Sequence, residues 1–160
     1  MTYNPKWDTV FGLITFGQIY VDGGVTSQSI ATGTTYAKVT CFNTAAGFNG
    51  ASSDTTVDKA NSEITCSRAG TYLVSFNMSL TSDTPNVVYR AAIFNDTVEQ
   101  SQVHDAEKFL VGTDLASLHA TGLVACTAGQ KISVRIRHGD GGSVAITPLY
   151  ASITVRRVGT

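Results

Sequence analysis

Residues 70 to 80, GTYLVSFNMSL, alternate with the period of a β-strand, yet neither of their two faces suits water. Successive side chains of a strand point to opposite sides of the sheet. One face therefore carries Tyr72, Val74, Phe76, Met78 and Leu80, a set that belongs in a core. The other carries Leu73, Ser75, Asn77 and Ser79, small and uncharged where a solvent face usually places Lys, Glu or Arg. Residues 116 to 126, ASLHATGLVAC, repeat the pattern, with Leu123 and Ala125 on one side and Val124 and Cys126 on the other. In a two-sheet sandwich only the inner face meets the core. The outer face of these strands is expected to be covered by another subunit.

The rest of the chain reads as short alternating segments separated by Gly, Asn, Asp, Ser and Thr, the pattern of an all-β sandwich or barrel. Strands are expected within residues 9–22 and at 26–31, 36–42, 62–67, 70–80, 87–95, 116–126, 130–138 and 147–157, with Gly12 and Gly17 as bends. Residues 45–54 and 138–143 read as loops, and TAGQ at 127–130 as a tight turn. Helical periodicity is nearly absent; its best candidate is 105–120, interrupted by Gly112 and Thr113. In KISVRIRH, Ile132, Val134 and Ile136 face a core while Ser133, Arg135 and Arg137 face outward, as a half-exposed strand should. About eight to ten antiparallel strands with no βαβ rhythm favour a jelly roll or an immunoglobulin-like sandwich.

Charge is scarce. Charged residues make up 14% of the 160, against about 25% in ordinary soluble domains. No apolar run approaches the ~18 residues of a membrane span, so the economy of charge points to a stable oligomer instead. The net charge of −1 leaves no electrostatic footprint for nucleic acid. The segment after Met1, TYNPKWDTV, lacks the basic start and apolar core of a secretion signal. Cys41, Cys66 and Cys126 form no CxxC pair and each sits in a strand-like segment, where a free thiol acts as a small apolar side chain. Folding in a cytoplasm is expected.

Candidate chemistry is thin. His104, Asp105 and Glu107, or His138 with Asp140, supply ligand-type side chains, but neighbours along a strand point apart and do not converge on one ion. Asp96 and Asp140 lack the spacing of a calcium loop. No G-x-S-x-G elbow and no phosphate-binding glycine loop occurs. Neither cofactor nor metal nor enzymatic activity is expected. His119, in an apolar strand, reads as a hydrogen-bonded interface side chain.

Three motifs resemble the C1q/TNF-like jelly rolls. ITCSRAGTYLVSFNMSL is similar to that family's Cys-turn-G-x-Y-x-F-x-F motif through Cys66, Gly70, Tyr72 and Phe76, with Val74 in place of an aromatic. ACTAGQKISVRI resembles its L-x-x-G-D-x-V-x-V turn, with Gly129 and Ile132 in register and Gln130 in place of an acid. PLYASITVRRV resembles the closing strand. Together the likeness covers roughly residues 26–158 and implies a C1q/TNF-like jelly-roll sandwich packed as a homotrimer around a threefold axis. Leu73, Ser75, Asn77, Leu123, Ala125 and His119 would form the trimer interface, and Tyr72, Val74, Phe76, Val124, Ile132, Val134 and Ile136 the core.

A second likeness lies in residues 17–39. Gly17, Ile19, Tyr20, Val21, Thr26, Ser29, Ile30, Tyr36, Lys38 and Val39 resemble the opening of C1q/TNF-like proteins of tailed-phage virions. It implies a structural virion protein that decorates or cements an assembled phage head by binding the major capsid protein. Residues 1–16 are expected to form an arm that docks through Trp7, Phe11, Leu13, Ile14 and Phe16, or else an edge strand, ahead of a jelly-roll domain at 17–160. The competing expectation is the globular tip of a head or tail fibre, binding a host surface glycan or protein through its loops.

Overall fold

The computed structural model describes residues 14–23, 26–31, 33, 35–110, 115–139 and 142–159. Twelve strands occur among them and no helix. They are β1 (Phe16–Asp22), β2 (Gln28–Ile30), β3 (Ala37–Lys38), β4 (Gly47–Ser53), β5 (Thr55–Asp58) and β6 (Glu63–Cys66), followed by β7 (Gly70–Ser82), β8 (Val88–Asn95), β9 (Val98–Lys108), β10 (Ala116–Cys126), β11 (Lys131–His138) and β12 (Val144–Gly159). One sheet runs β10-β7-β12-β1-β4, with β2 also paired to β12; the other runs β5-β6-β11-β8-β9, with β3 also paired to β11. The chain is an all-β jelly-roll sandwich of two antiparallel sheets.

The core lies between the sheets, where the alternating apolar residues meet. Tyr72, Val74, Phe76, Met78 and Leu80 of β7 are all buried, beside Val124 and Leu118 of β10 in the same sheet and with Ile132, Val134 and Ile136 of β11 from the other. β12 illustrates how a strand keeps that pattern over sixteen residues. Val144, Ile146 and Pro148 point inward, and then Ala151, Ile153 and Val155 do, so the alternation slips by one. The slip is a β-bulge: Pro148 faces Leu80 and Tyr150 faces Ser79, leaving Leu149 unmatched. Proline has no N–H to give to a ladder, which makes position 148 the natural place for the pairing to break.

Four readings of the sequence need correction. The helical candidate at 105–120 begins in β9 and ends in β10, with residues 111–114 outside the described residues. Phe109, just after β9, and Leu118, in β10, both reach the core. Residues 45–54, read as a loop, contain the edge strand β4, and β5 follows directly. β4 is held by its backbone ladder to β1 and has few apolar side chains to announce it. β9 escaped notice for the same reason, since Val103 is its one buried residue. Cys41 lies in the turn after β3 rather than in a strand, though all three thiols are free and buried.

Gly17 is no bend. It sits inside β1, where a Cβ would stand 2.5 Å from Thr55 Oγ1 and 2.9 Å from Val57 Cγ1. The irregularity falls instead in the β1–β4 pairing, between Gly17 and Ile19. The TAGQ turn is as expected, with Gln130 N donating to Thr127 O at 3.2 Å and Gly129 at φ +90°.

Candidate functional site

Residues directly opposite one another on paired strands point to the same side of the sheet. The registers therefore assemble the outer face of the first sheet row by row. One row runs His119, Asn77, Ser152, Tyr20, Phe48 across β10, β7, β12, β1 and β4. Another runs Leu123, Leu73, Arg156, Phe16, Ser53. Between them lie Thr121, Ser75, Thr154 and Gln18. Beyond the first row come Ser117, Ser79, Tyr150 and Asp22.

These rows bring together the side chains expected to meet a second subunit. Leu73 is 37% exposed and Leu123 54%, while Asn77, His119 and Ala125 are exposed and Ser75 half-buried. In these four rows the charged side chains, Asp22 and Arg156, stand on the outermost two rows, and the middle two are hydroxyl, amide, imidazole and aromatic. Hydroxyls satisfy each other along it: Thr121 Oγ1 donates to Ser75 Oγ at 3.0 Å, and Ser79 Oγ lies 3.3 Å from Ser117 Oγ. Tyr20 and Phe48 stack with ring centroids 5.2 Å apart. Beside them Gln18, Tyr20, Asn77, Ser79, Tyr150 and Ser152 border a depression of about 300 Å³. The aromatic half of this face is Phe48, Tyr20 and Tyr150. Its signal was present in the alternation of β1, where Ile19 and Val21 are buried and Tyr20 between them is not.

The outer face of the second sheet is of a different kind. Arg135 lies over the Phe94 ring at 4.4 Å and Arg137 over Tyr36 at 4.8 Å. Tyr36 donates to Glu99 Oε1 at 3.1 Å. Glu63 accepts from Lys38 at 2.8 Å and from Lys131 at 2.5 Å. Burial pushes the Glu63 carboxyl up, but the hydrogen bonds and charges of Lys131 and Lys38 outweigh it and hold the group below the ordinary carboxylate range. Guanidinium on aromatic and lysine on carboxylate are ways for a charged face to live in water. One sheet presents charge outward and the other withholds it.

His119 is placed on the charge-poor face, its backbone N–H donating to Asp105 Oδ2 at 2.8 Å and its Nδ1 standing 3.8 Å from the same oxygen. His104 turns to Ser101 O at 2.6 Å, so His104, Asp105 and Glu107 do not converge. His138 is buried with Nε2 3.1 Å from Ile30 O; Asp140 lies outside the described residues. Asp96 Oδ1 accepts from the Lys131 N–H at 3.0 Å in the β8–β9 turn. Among the described residues no group of three or more His, Cys, Asp or Glu side chains could hold a metal ion. Of the expected docking arm, Trp7, Phe11 and Leu13 lie outside the described residues. Ile14 is 65% exposed, whereas Phe16 is half-buried in β1. Thr15, just before it, is buried, and its carbonyl accepts from Arg157 N at 2.9 Å.

No family model matches the chain, and no curated protein matches it. Its fold does have solved counterparts. The TNF Eiger of S. frugiperda superposes with a TM-score of 0.59 at 10% identity, over 91% of this chain and 94% of that one. The globular domain of zebrafish complement 1qA gives 0.55 at 12% identity, over 88% and 94%. The vertex protein P5 of PRD1 gives 0.53 at 13% identity, over 92% and 99%. At such identities the likeness is one of fold, and the fold is the C1q/TNF-like jelly roll.

Proposed function

We propose that this chain is a structural virion protein, a homotrimer that decorates and stabilises the assembled head of a phage. The observation that carries the reading is the charge-poor outer face of the β10-β7-β12-β1-β4 sheet. Covering Leu73, Leu123, Tyr20, Phe48 and Tyr150 removes apolar area from water, and the hydroxyls between them bond to one another, so little desolvation cost opposes association. Obligate interfaces bury roughly 2,000 to 5,000 Å² and are relatively apolar. Three copies related by a threefold axis satisfy this face in a closed assembly.

The virion half of the reading rests on the opening residues 17–39 and on the fold shared with the PRD1 vertex protein. Decoration needs no catalysis: a protein that binds only the assembled lattice stabilises it by mass action. Three copies of one contact reinforce each other through effective concentration. The capsid-facing element is the segment ahead of β1, and the partner is the major capsid protein.

Sedimentation of the purified chain at micromolar concentration, followed by incubation with heads lacking it, tests both halves. Trimers that occupy the heads in hundreds of copies support the reading. A folded monomer removes the trimer, and occupancy in tens or fewer assigns the chain to a fibre tip. A chain without residues 2–13 should still form trimers but leave the heads bare.

A further inference from the structure

Cys66 and Cys126 end strands in opposite sheets. Cys66 closes β6 in one, and Cys126 closes β10 in the other. The TAGQ turn carries the chain from Cys126 across the end of the sandwich to β11, and it folds back onto Cys66. Gly129 N donates to Cys66 O at 2.7 Å, and Cys66 N donates to Gln130 O at 2.8 Å. Both side chains turn inward: Cys66 is fully buried and Cys126 is 5% exposed. Each thiol is the first influence on the acidity of the other, as neighbours are. A thiol is a weak donor and a weak acceptor, so their being neighbours adds little to stability. Two buried thiols on strands of opposite sheets, tied together by the backbone bonds of one turn, are a starting arrangement for a cross-link.

We propose that Cys66 and Cys126 are a disulfide-forming pair, reduced when the chain folds and closed into a bond between the sheets once it meets oxidising surroundings. The exposures order the two steps. The Cys126 thiolate, nearer the surface, attacks one sulfur of a small disulfide such as oxidised glutathione and expels one glutathione thiolate. The Cys66 thiolate then attacks the Cys126 sulfur of the mixed disulfide and expels the second. One S–S bond breaks and one forms. The two thiol protons leave with the two glutathione molecules, the chain is oxidised and glutathione is reduced. The neighbouring Cys66 lowers the Cys126 thiol, whereas Cys126 and then burial raise Cys66, which together with the exposures suits Cys126 to attack first. Cys41, in its separate turn, is pushed up to about 12 by burial and stays a thiol.

The pair does not depend on the virion reading. A bond between residues 66 and 126 closes a long loop, and long loops gain most from cross-linking. For a chain this size the melting temperature should rise by on the order of 10 °C.

The test uses the full chain, incubated folded with oxidised glutathione, then denatured and alkylated with N-ethylmaleimide for intact mass and peptide mapping. The expected product is two hydrogens lighter before alkylation. It takes up one maleimide, at Cys41, where the reduced chain takes up three, one per free thiol. A single cross-linked peptide joins Cys66 to Cys126, and dithiothreitol reverses the rise in melting temperature. Cys41→Ser should close the bond as the natural chain does. Three maleimides after oxidation, a glutathione adduct left open on Cys126, or a cross-link through Cys41 would each overturn the proposal.

Discussion

Leu73 and Leu123 stand directly opposite each other on β7 and β10, both on the solvent side of the sheet. Neither supports the core: Tyr72 and Val74 flank the first and Val124 follows the second, and those three are fully buried. Two leucines side by side on an outer face contribute little to one subunit and much to an interface between subunits.

Leu73→Asp separates those roles. At a site 37% exposed the substitution should cost the single subunit no more than ~1 kcal/mol. In a trimer it buries a carboxylate three times over without a partner, at several kcal/mol each. The expected outcome is an unchanged far-UV spectrum with sedimentation shifted from trimer to monomer. Trimers that persist at micromolar concentration would show that this row is not at the interface.

Phe76 tests the opposite face of the same strand. It is 1% exposed, and its cross-strand neighbours are Ala120 on β10 and Ile153 on β12. Phe76→Ala leaves a void among residues already close-packed, which costs about 3–5 kcal/mol. Urea unfolding should show the free energy of unfolding falling by that amount, through a lower midpoint at unchanged slope. A loss under 1 kcal/mol would mean the sandwich collapses around the gap.

What was legible in the sequence follows from where its alternation had a buried partner. β7, β10 and β11 each pair an apolar face with a distinct second face, and their expected limits lie within two residues of those found. β4 and β9 lie at sheet edges and bury one residue each, so their side chains carry almost no period. β12 was found late, from 147 rather than Val144, because the bulge at Pro148 reverses its phase halfway. The surface followed the same rule. Leu73 and Leu123 are conspicuous as apolar residues on a polar face, whereas nothing in the local pattern around Phe48 and Tyr150 sets them apart from core aromatics. Only the register of five strands puts those rings on the outside.

Gly17 is required by packing rather than by backbone freedom. Its ladder partner on β12 is Val155, and Thr55, Val57 and Ile64 fill the space a side chain would take. Thr55 is itself held, donating through Oγ1 to Phe16 O at 2.5 Å. Gly17→Ala should therefore cost about 1–3 kcal/mol by overpacking, although alanine has the better strand propensity. Thermal melts compared with Gly129→Asn, at an exposed turn glycine with open space around it, would separate this from a general sensitivity to glycine loss. Equal, small shifts in both would sink the packing account.

Glu63 gives the charged sheet a pH dependence whose direction can be derived. Its carboxyl is held below the ordinary range in the folded chain because Lys131 and Lys38 both donate to it. The unfolded chain therefore binds the proton more readily, and ionised Glu63 adds stability above the unfolded carboxylate value of about 4.3. As pH falls from there through the lower folded value, that contribution is lost. Glu63→Gln keeps the size of the side chain but cannot ionise. It should reduce stability at pH 7 and flatten its decline between roughly pH 5 and pH 3, because no proton is taken up at this site on unfolding. Chemical denaturation across that range measures the slope. A Glu63→Gln chain whose stability falls as steeply with acid as the natural one would place the acid sensitivity at another carboxylate.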